Sequence, residues 1–536
     1  MASSESVDVL IIGAGASGAV AARRLAADGV DVLCLEQGAW PDPMEYPGAK
    51  PEWEVSGLKQ WHASPNVRGG SADYPIDAGE AEMTPLMYNA VGGSTILYGA
   101  HWPRFTPSDF RVRTLDGIGD DWPLSYSELE PFYDRADADF GVAALEGDPA
   151  YPPGTTPPLP PLPIGSVGRR VARAHNALGW HWWPGPNAIL SRPYRGRRPC
   201  VQRGVCGWGC GEGAKASTDV THWPDAMRNG ARLVTGARVR EIPLAANGCA
   251  AGAIYFDSAG VERFQPADVV LLAANAVGTA RLLLLSASAR FPDGLANRSG
   301  LVGRRLMMHP FTRVIGFFDE QFASWQGQWG QSVQSMEFYE TDTARGFVRG
   351  AKWNLVPSGG PLGAALFPWP GERRWGREIH RHVERWIGHA AIWGITAEDL
   401  PEEGNRVTIA PHLTDAHDIP APKVTYHVAE NARRILAFNV ARAEESLMAA
   451  GAASTLSLPL MPEFGWHLLG TARMGVDPET SVVDRWGRAH DVPNLYVMDG
   501  STFVTGASVN PTPTIAALAL RNVEHLLTTR HGQPVP

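Results

Sequence analysis

The chain opens on the apolar run Val7–Ile12 (VDVLII), rich in β-branched residues, which predicts a strand. GAGASG follows. AVAARRLAADG then carries small apolar residues at helical period and stops at Gly29, so a helix is expected there. VDVLCLEQG reads as a second strand, and the whole stretch has the size of a βαβ unit, about 30 residues. Residues 40–85 are rich in Pro, Gly and Trp without periodicity and read as a surface excursion, and 88–105 is a Gly-rich turn inside apolar sequence. A helix is expected to open after Ser125 in DWPLSYSELEPFYDRADADFG, and the Pro-rich stretch 151–164 reads as an extended connector. Three strand runs follow between residues 231 and 275 (ARLVTGARVREI, AGAIYFD, ADVVLLAAN), then the helix GTARLLLLSA. Residues 300–455 alternate short strand-like runs with Trp- and Gly-rich loops. The chain closes on the strand VPNLYVMDGS, a loop and an amphipathic helix from Thr514. No internal repeat is visible.

A length of 536 residues predicts more than one domain, and 44% hydrophobic residues supply large cores. The charge sum, 47 − 56 = −9, argues against a nucleic-acid binder. Only 19% of residues are charged, while Gly (58), Pro (44) and Trp (19) are plentiful; this points to aromatic-lined pockets and an enzyme of neutral or sugar-like molecules. The most apolar stretch, 269–285, is interrupted by Asn275, Thr279 and Arg281, so no membrane span is expected. The first residues, MASSESVD, lack the basic start of a signal peptide, and five cysteines fit a reducing compartment. The expected location is cytoplasmic.

Gly13, Gly15 and Gly18 form G-x-G-x-x-G between a strand and a helix. The first allows a tight turn, the second lets backbone N–H groups approach a pyrophosphate, and the third lets the helix lie close to the strand. Glu36 closes the second strand, where a carboxylate accepts ribose hydroxyls. A bound dinucleotide is expected; the motif alone does not separate NAD from FAD. Near the other end, His467 precedes LLGTARMG, and Asn510 precedes Pro511 and a helix whose N-terminus suits negative charge. Taken singly, such a His and Asn are ordinary core and helix-flanking residues.

HLLGTARMG (467–475) and MDGSTFVTGASVNPTPTIAALAL (498–520) resemble the C-terminal signature of the glucose–methanol–choline (GMC) oxidoreductases. With the N-terminal βαβ, NAVGGST (89–95) and DWPLSYSELEPFYDRA (121–136), the resemblance runs from end to end and is weakest over 300–455. It implies an α/β fold, a Rossmann-like FAD-binding domain with a mixed-sheet substrate-binding domain. The expected FAD-binding segments are 1–110, 195–300 and 455–536; the substrate-binding segments are 111–194 and 301–454. The resemblance also implies FAD and oxidation of an alcohol by hydride transfer to flavin N5. The family's catalytic pair matches His467 and Asn510, with His467 the one titrating base. FAD contacts are implied at Gly13, Gly15, Ala16, Ser17, Gly18, Glu36, Gly92, Gly93, Ser94, Val239, Asp499, Gly500, Asn510, Pro511 and Thr512.

The segment 90–105 resembles that of pyranose 2-oxidases, whose flavin-linked His-Trp pair would fall on Leu97-Tyr98; here His101-Trp102 comes four residues later. Non-covalent FAD is therefore expected, with His101 a candidate pocket wall. GREIHRHVERW (376–386) resembles a pyranose-oxidase stretch that lines the sugar pocket, making Glu378 and His382 candidate substrate ligands; a solvated helix face is the plainer reading. Trp325, Trp329, Trp353, Trp369, Trp375, Trp386 and Trp393 are candidates for stacking on sugar rings, though most read more simply as core or interface residues. Cys200, Cys206 and Cys210 (C-x5-C-x3-C) do not match zinc spacing, so no metal is expected; Cys34 and Cys249 read as core thiols.

The leading expectation is oxidation of a secondary ring hydroxyl of a pyranose or glycoside, nearest the pyranose 2-oxidases and bacterial glycoside 3-oxidases. C3 is favoured over C2, and O2 is the expected acceptor. The alternatives are a flavoprotein dehydrogenase using a non-oxygen acceptor, a sterol oxidase and a hydroxynitrile lyase.

Overall fold

In the computed structural model, which describes residues 5–367, 375–458 and 460–530, the first strand, Val7–Ile12, lies at the heart of a seven-stranded sheet. It pairs in parallel with Val32–Glu36 on one side and Glu262–Leu272 on the other. Val9 and Ile11 enter one core with the helices Ala16–Ala27 and Thr512–Arg530, while Leu10 and Ile12 enter a second core on the opposite face. Burial on both faces is why this strand reads as a continuous apolar run. Arg232–Thr235 and Leu495–Val497 add further parallel strands. The run 231–242 reads as one strand in the sequence but forms two, Arg232–Thr235 and Arg238–Glu241, because Gly236 takes a left-handed φ of 65° between them.

The second sheet has six strands, ordered Ser454–Ser457, Phe311–Phe317, Ala390–Ala397, Ala351–Val356, Val333–Ser335 and Trp183–Pro184, all antiparallel. Its side chains alternate strictly. Val314, Trp353, Leu355, Trp393 and Ile395 pack against the helix Glu430–Ala449, whereas Phe311, Arg313, Asn354, Val356 and Thr396 face a cavity. A third sheet joins Arg406–Thr414, Pro420–Tyr426 and Asp77–Ala81.

The helix Tyr126–Phe140 starts where the sequence places it. Ser125 Oγ accepts the Glu128 N–H, and Glu128 Oε2 accepts the Ser125 N–H at 2.9 Å, a reciprocal cap. Tyr133 on this helix shares a 2.7 Å hydrogen bond with Thr514, tying it to the last helix. Among the tryptophans, Trp353 and Trp393 are core, Trp325 and Trp375 are exposed, Trp329 and Trp386 line the cavity, and Trp369 lies outside the described residues. Cys34 is buried as expected, but Cys249 is only half-buried, because it sits in the turn between Leu244 and Ala250. Among the described residues no helix is long and apolar enough to cross a membrane.

Candidate active site

A cavity of about 650 Å3 runs from the glycine turn after the first strand to the cavity face of the six-stranded sheet. Gly13 and Gly18 are glycines for space: a Cβ would come within 2.5 Å of Ala273 O at the first and 2.0 Å of Gly13 O at the second. Gly15 meets nothing within 4 Å and lines the cavity beside Ala16 and Ser17, so its face is free for a phosphate group. Glu36 is buried, with Oε2 accepting the Ala14 N–H and Oε1 the Gly38 N–H, both at 2.8 Å. A carboxylate offers about four lone-pair sites, so capacity remains for two ribose hydroxyls. Gly93, Ser94 and Val239 line the same cavity. So do Asp499, Gly500, Asn510, Pro511 and Thr512; Gly92 lies just behind, its N–H bonded to Ala14 O. Asp499 is held by Thr279 Oγ1 at 2.6 Å and the Ser501 N–H at 2.9 Å. Open glycine face, buried carboxylate and facing helix start together fit an elongated dinucleotide such as FAD.

His467 and Asn510 stand at the inner end, with Asn510 Nδ2 3.2 Å from His467 Nε2. Two partners absent from the sequence reading complete the group. Lys352 Nζ donates to Asn510 Oδ1 and to Gln331 Oε1, both at 2.7 Å. Since lysine is donor-only when charged, Asn510 must accept with its oxygen and present its NH2 to His467. His467 Nε2 then accepts, and its proton sits on Nδ1, which lies 2.9 Å from His309 Nδ1. His309 is in turn fixed by Asp399, whose Oδ2 accepts the Met308 N–H at 2.6 Å and the His309 N–H at 3.3 Å.

His309 and Lys352 are buried and His467 is half-buried on the cavity wall, and their proton affinities follow. Burial, reinforced by the neighbouring His309, Lys352 and His101, pushes His467 well below the ordinary imidazole range. Burial brings His309 down to about 3 and holds Lys352 well below an ordinary lysine. The imidazole of His467 is therefore neutral and ready to accept a proton across the neutral pH range.

His101 lines the cavity, as expected of a pocket wall, and its Nδ1 is buried without a hydrogen-bond partner among the described residues. Glu378 and His382 do not. Their segment is the helix Arg377–Trp386, but Glu378 turns to Arg381 at 3.2 Å, His382 is packed beneath the helix, and Trp386 reaches the cavity instead. Cys200, Cys206 and Cys210 are free thiols; Cys206 Sγ accepts the Trp329 N–H at 3.3 Å. Leu97 and Tyr98 carry no histidine into the wall beside the second glycine turn. Precipitation with acid is expected to leave the yellow colour in the supernatant; colour in the pellet would point to a link through His101.

The GMC oxidoreductase family models match residues 169–311 and 401–519, and a model of the NAD(P)-binding Rossmann-like domain matches residues 11–68. Among characterised relatives, the 2-methyl-1,2-propanediol dehydrogenase of Mycolicibacterium austroafricanum is 41% identical, over 98% of this chain and 96% of its own. Paromamine 6'-oxidase of Streptomyces fradiae is 31% identical over 98% and 92%. The fructose dehydrogenase large subunit of Gluconobacter japonicus is 29% identical over 97% and 98%. The crystal structure of pyridoxine 4-oxidase from Mesorbium loti shares the fold, with a TM-score of 0.64 at 20% identity over 99% of this chain and 100% of that one.

Proposed function

The chain belongs to the GMC oxidoreductases, FAD enzymes acting on CH–OH donors, and from that premise we propose that it oxidises a secondary ring hydroxyl of a pyranose or glycoside. C3 is preferred to C2, O2 is the terminal acceptor and H2O2 is released. The observation that carries the chemistry is the neutral His467 beside Asn510 at the inner end of a cavity that begins at Gly15. Bound FAD supplies the acceptor for the hydride that leaves the carbinol carbon.

The protein's own residues do the rest. His467 Nε2 takes the hydroxyl proton, and the positive charge it gains is delocalised onto Nδ1–H, which donates to His309 Nδ1. His309 stays neutral and accepting. Asn510 Nδ2 donates to the substrate oxygen as negative charge develops there, and Lys352 keeps that amide from turning over. Trp61, Tyr88, Trp208, Trp329 and Phe464 wall the cavity and offer apolar faces to a sugar ring.

The C3 preference rests on the resemblance to bacterial glycoside 3-oxidases. A second reading, electron transfer to a non-oxygen acceptor, is favoured by the 41% identical relative named a dehydrogenase. Anaerobic bleaching of the flavin by a panel of sugars, glycosides, sterols and short diols tests the substrate class. Pyranosides are expected to bleach it fastest; bleaching by diols or sterols alone overturns the sugar reading, and no bleaching by any alcohol would point to lyase chemistry. H2O2 release in air separates the two acceptors.

A further inference from the structure

We propose that Arg313 forms a carboxylate-binding subsite in the wall of this cavity, so that the substrate is a hydroxy acid: on the reading above, a sugar ring that also carries a carboxylate. Arg313 lies on the strand Phe311–Phe317 and faces the cavity with Phe311, two residues before it. Its guanidinium sits over the rings of Phe464 at 4.8 Å and Trp329 at 5.9 Å. Phe464 itself stacks on Phe311 at 4.6 Å, so the guanidinium plane is held by a fixed aromatic wall.

What the group lacks is an acceptor. Its Nε is buried with no hydrogen-bond partner among the described residues, and burial alone draws its acidity down to about 10, with no carboxylate opposing the shift. Arg349 is paired with Asp109, Arg68 with Asp73, and Arg238 and Arg281 with Asp415; Arg521, like Arg313, has no carboxylate, and donates instead to Arg485 O and Asn522 Oδ1. A desolvated guanidinium is retained where a ligand completes it. Cation–π contacts hold the guanidinium against the aromatic wall, and its planar fork of N–H donors is the geometry that meets a carboxylate in two parallel hydrogen bonds.

The neighbouring strand packs closely at this point. Gly394 lies in register between Arg313 and Asn354. A Cβ there would come within 2.9 Å of Asn354 Nδ2 and 2.8 Å of Phe311 Cζ. The glycine thus lets Phe311 and the Asn354 amide, which also line the cavity, close against the strand beside Arg313.

The test uses the FAD-loaded enzyme and a non-oxidisable probe, cyclohexanecarboxylate, with cyclohexanecarboxamide as the neutral isostere. Binding is read from the visible flavin spectrum and from competition against substrate. The carboxylate is expected to bind better than the amide, and Arg313→Met to weaken it roughly 10–100-fold, the range for a hydrogen bond to a charged group. Arg313→Lys, which keeps the charge without the fork, should recover part of that. In stopped-flow reduction, methyl glucuronide should saturate at lower concentration than methyl glucoside in the parent and not in Arg313→Met. Equal affinity of the parent for carboxylate and amide overturns the subsite, and needs no variant to fold. Tight carboxylate binding without bleaching by any sugar acid would leave the subsite standing and sink the sugar reading instead.

Discussion

His467→Ala is expected to slow anaerobic flavin reduction by at least about 10²-fold, the lower end of what a positioned general base contributes, with FAD still bound. Hydride does not leave a carbinol carbon easily while the O–H bond is intact, so the base and the acceptor must act on the same alcohol. His467 Nε2 is the acceptor atom beside Asn510, and its tautomer is set from both sides by Asn510 and His309. FAD retention follows from position: the phosphate and ribose contacts would lie with Gly15 and Glu36, on the part of the cavity at the glycine turn. Asn510→Ala should also slow reduction, with less change in pH dependence, because an amide does not titrate here. The pH profile gives an independent reading. A lowered pKa means that the proton-accepting form is already dominant at pH 6.5 and is lost only as pH falls through the lower value. The parent's reduction rate should therefore stay level through the ordinary imidazole range and fall at more acid pH. Stopped-flow reduction across pH measures both effects; a variant that reduces at the parental rate, or a parent whose rate drops on passing below pH 6.5, ends this assignment.

What the sequence discloses depends on how local the physics is. The glycine turn is legible because two of its three glycines answer clashes within a few residues and one neighbouring strand, with Gly18 against Gly13 O and Gly13 against Ala273 O. The helix after Ser125 is legible because its cap is a four-residue contact. His467 and Asn510 are legible only through a family resemblance. His309, Lys352 and Arg313 carry no such mark. Lys352 and Arg313 come from strands, and His309 from the loop just before one, whose order across the sheet, 454–457, 311–317, 390–397, 351–356, bears no relation to their order in the chain. Lys352 and Trp353 are adjacent in sequence, yet one reaches Asn510 and the other the core, and only the sheet's placement decides which. Glu378 and His382 show the converse. Their helix exists, but helical spacing says which residues share a face and not what that face meets; Trp386 reaches the cavity and they do not.

Lys352→Met should lower flavin reduction about 5–150-fold, the span for leaving a buried acceptor without its donor, and should move the acid limb of the rate profile to higher pH. Both effects trace to one ammonium with two amide acceptors and no carboxylate partner among its hydrogen bonds. Without the Nζ donor, nothing fixes the Asn510 amide, and the flipped orientation sets its oxygen against the substrate oxygen as that oxygen gains negative charge. The methionine also removes Lys352, one of the neighbours that add to burial in holding His467 low. The proton affinity of His467 then rises, so the base is lost at less acid pH. A residue that merely filled space would change the rate without moving the limb, since methionine matches the lysine stem in length. The decisive comparison is stopped-flow reduction of parent and Lys352→Met at matched FAD content from pH 4.5 to 8. An unchanged rate with an unchanged limb would remove Lys352 from the mechanism, and a slower rate with an unchanged limb would reduce it to holding Asn510 in place.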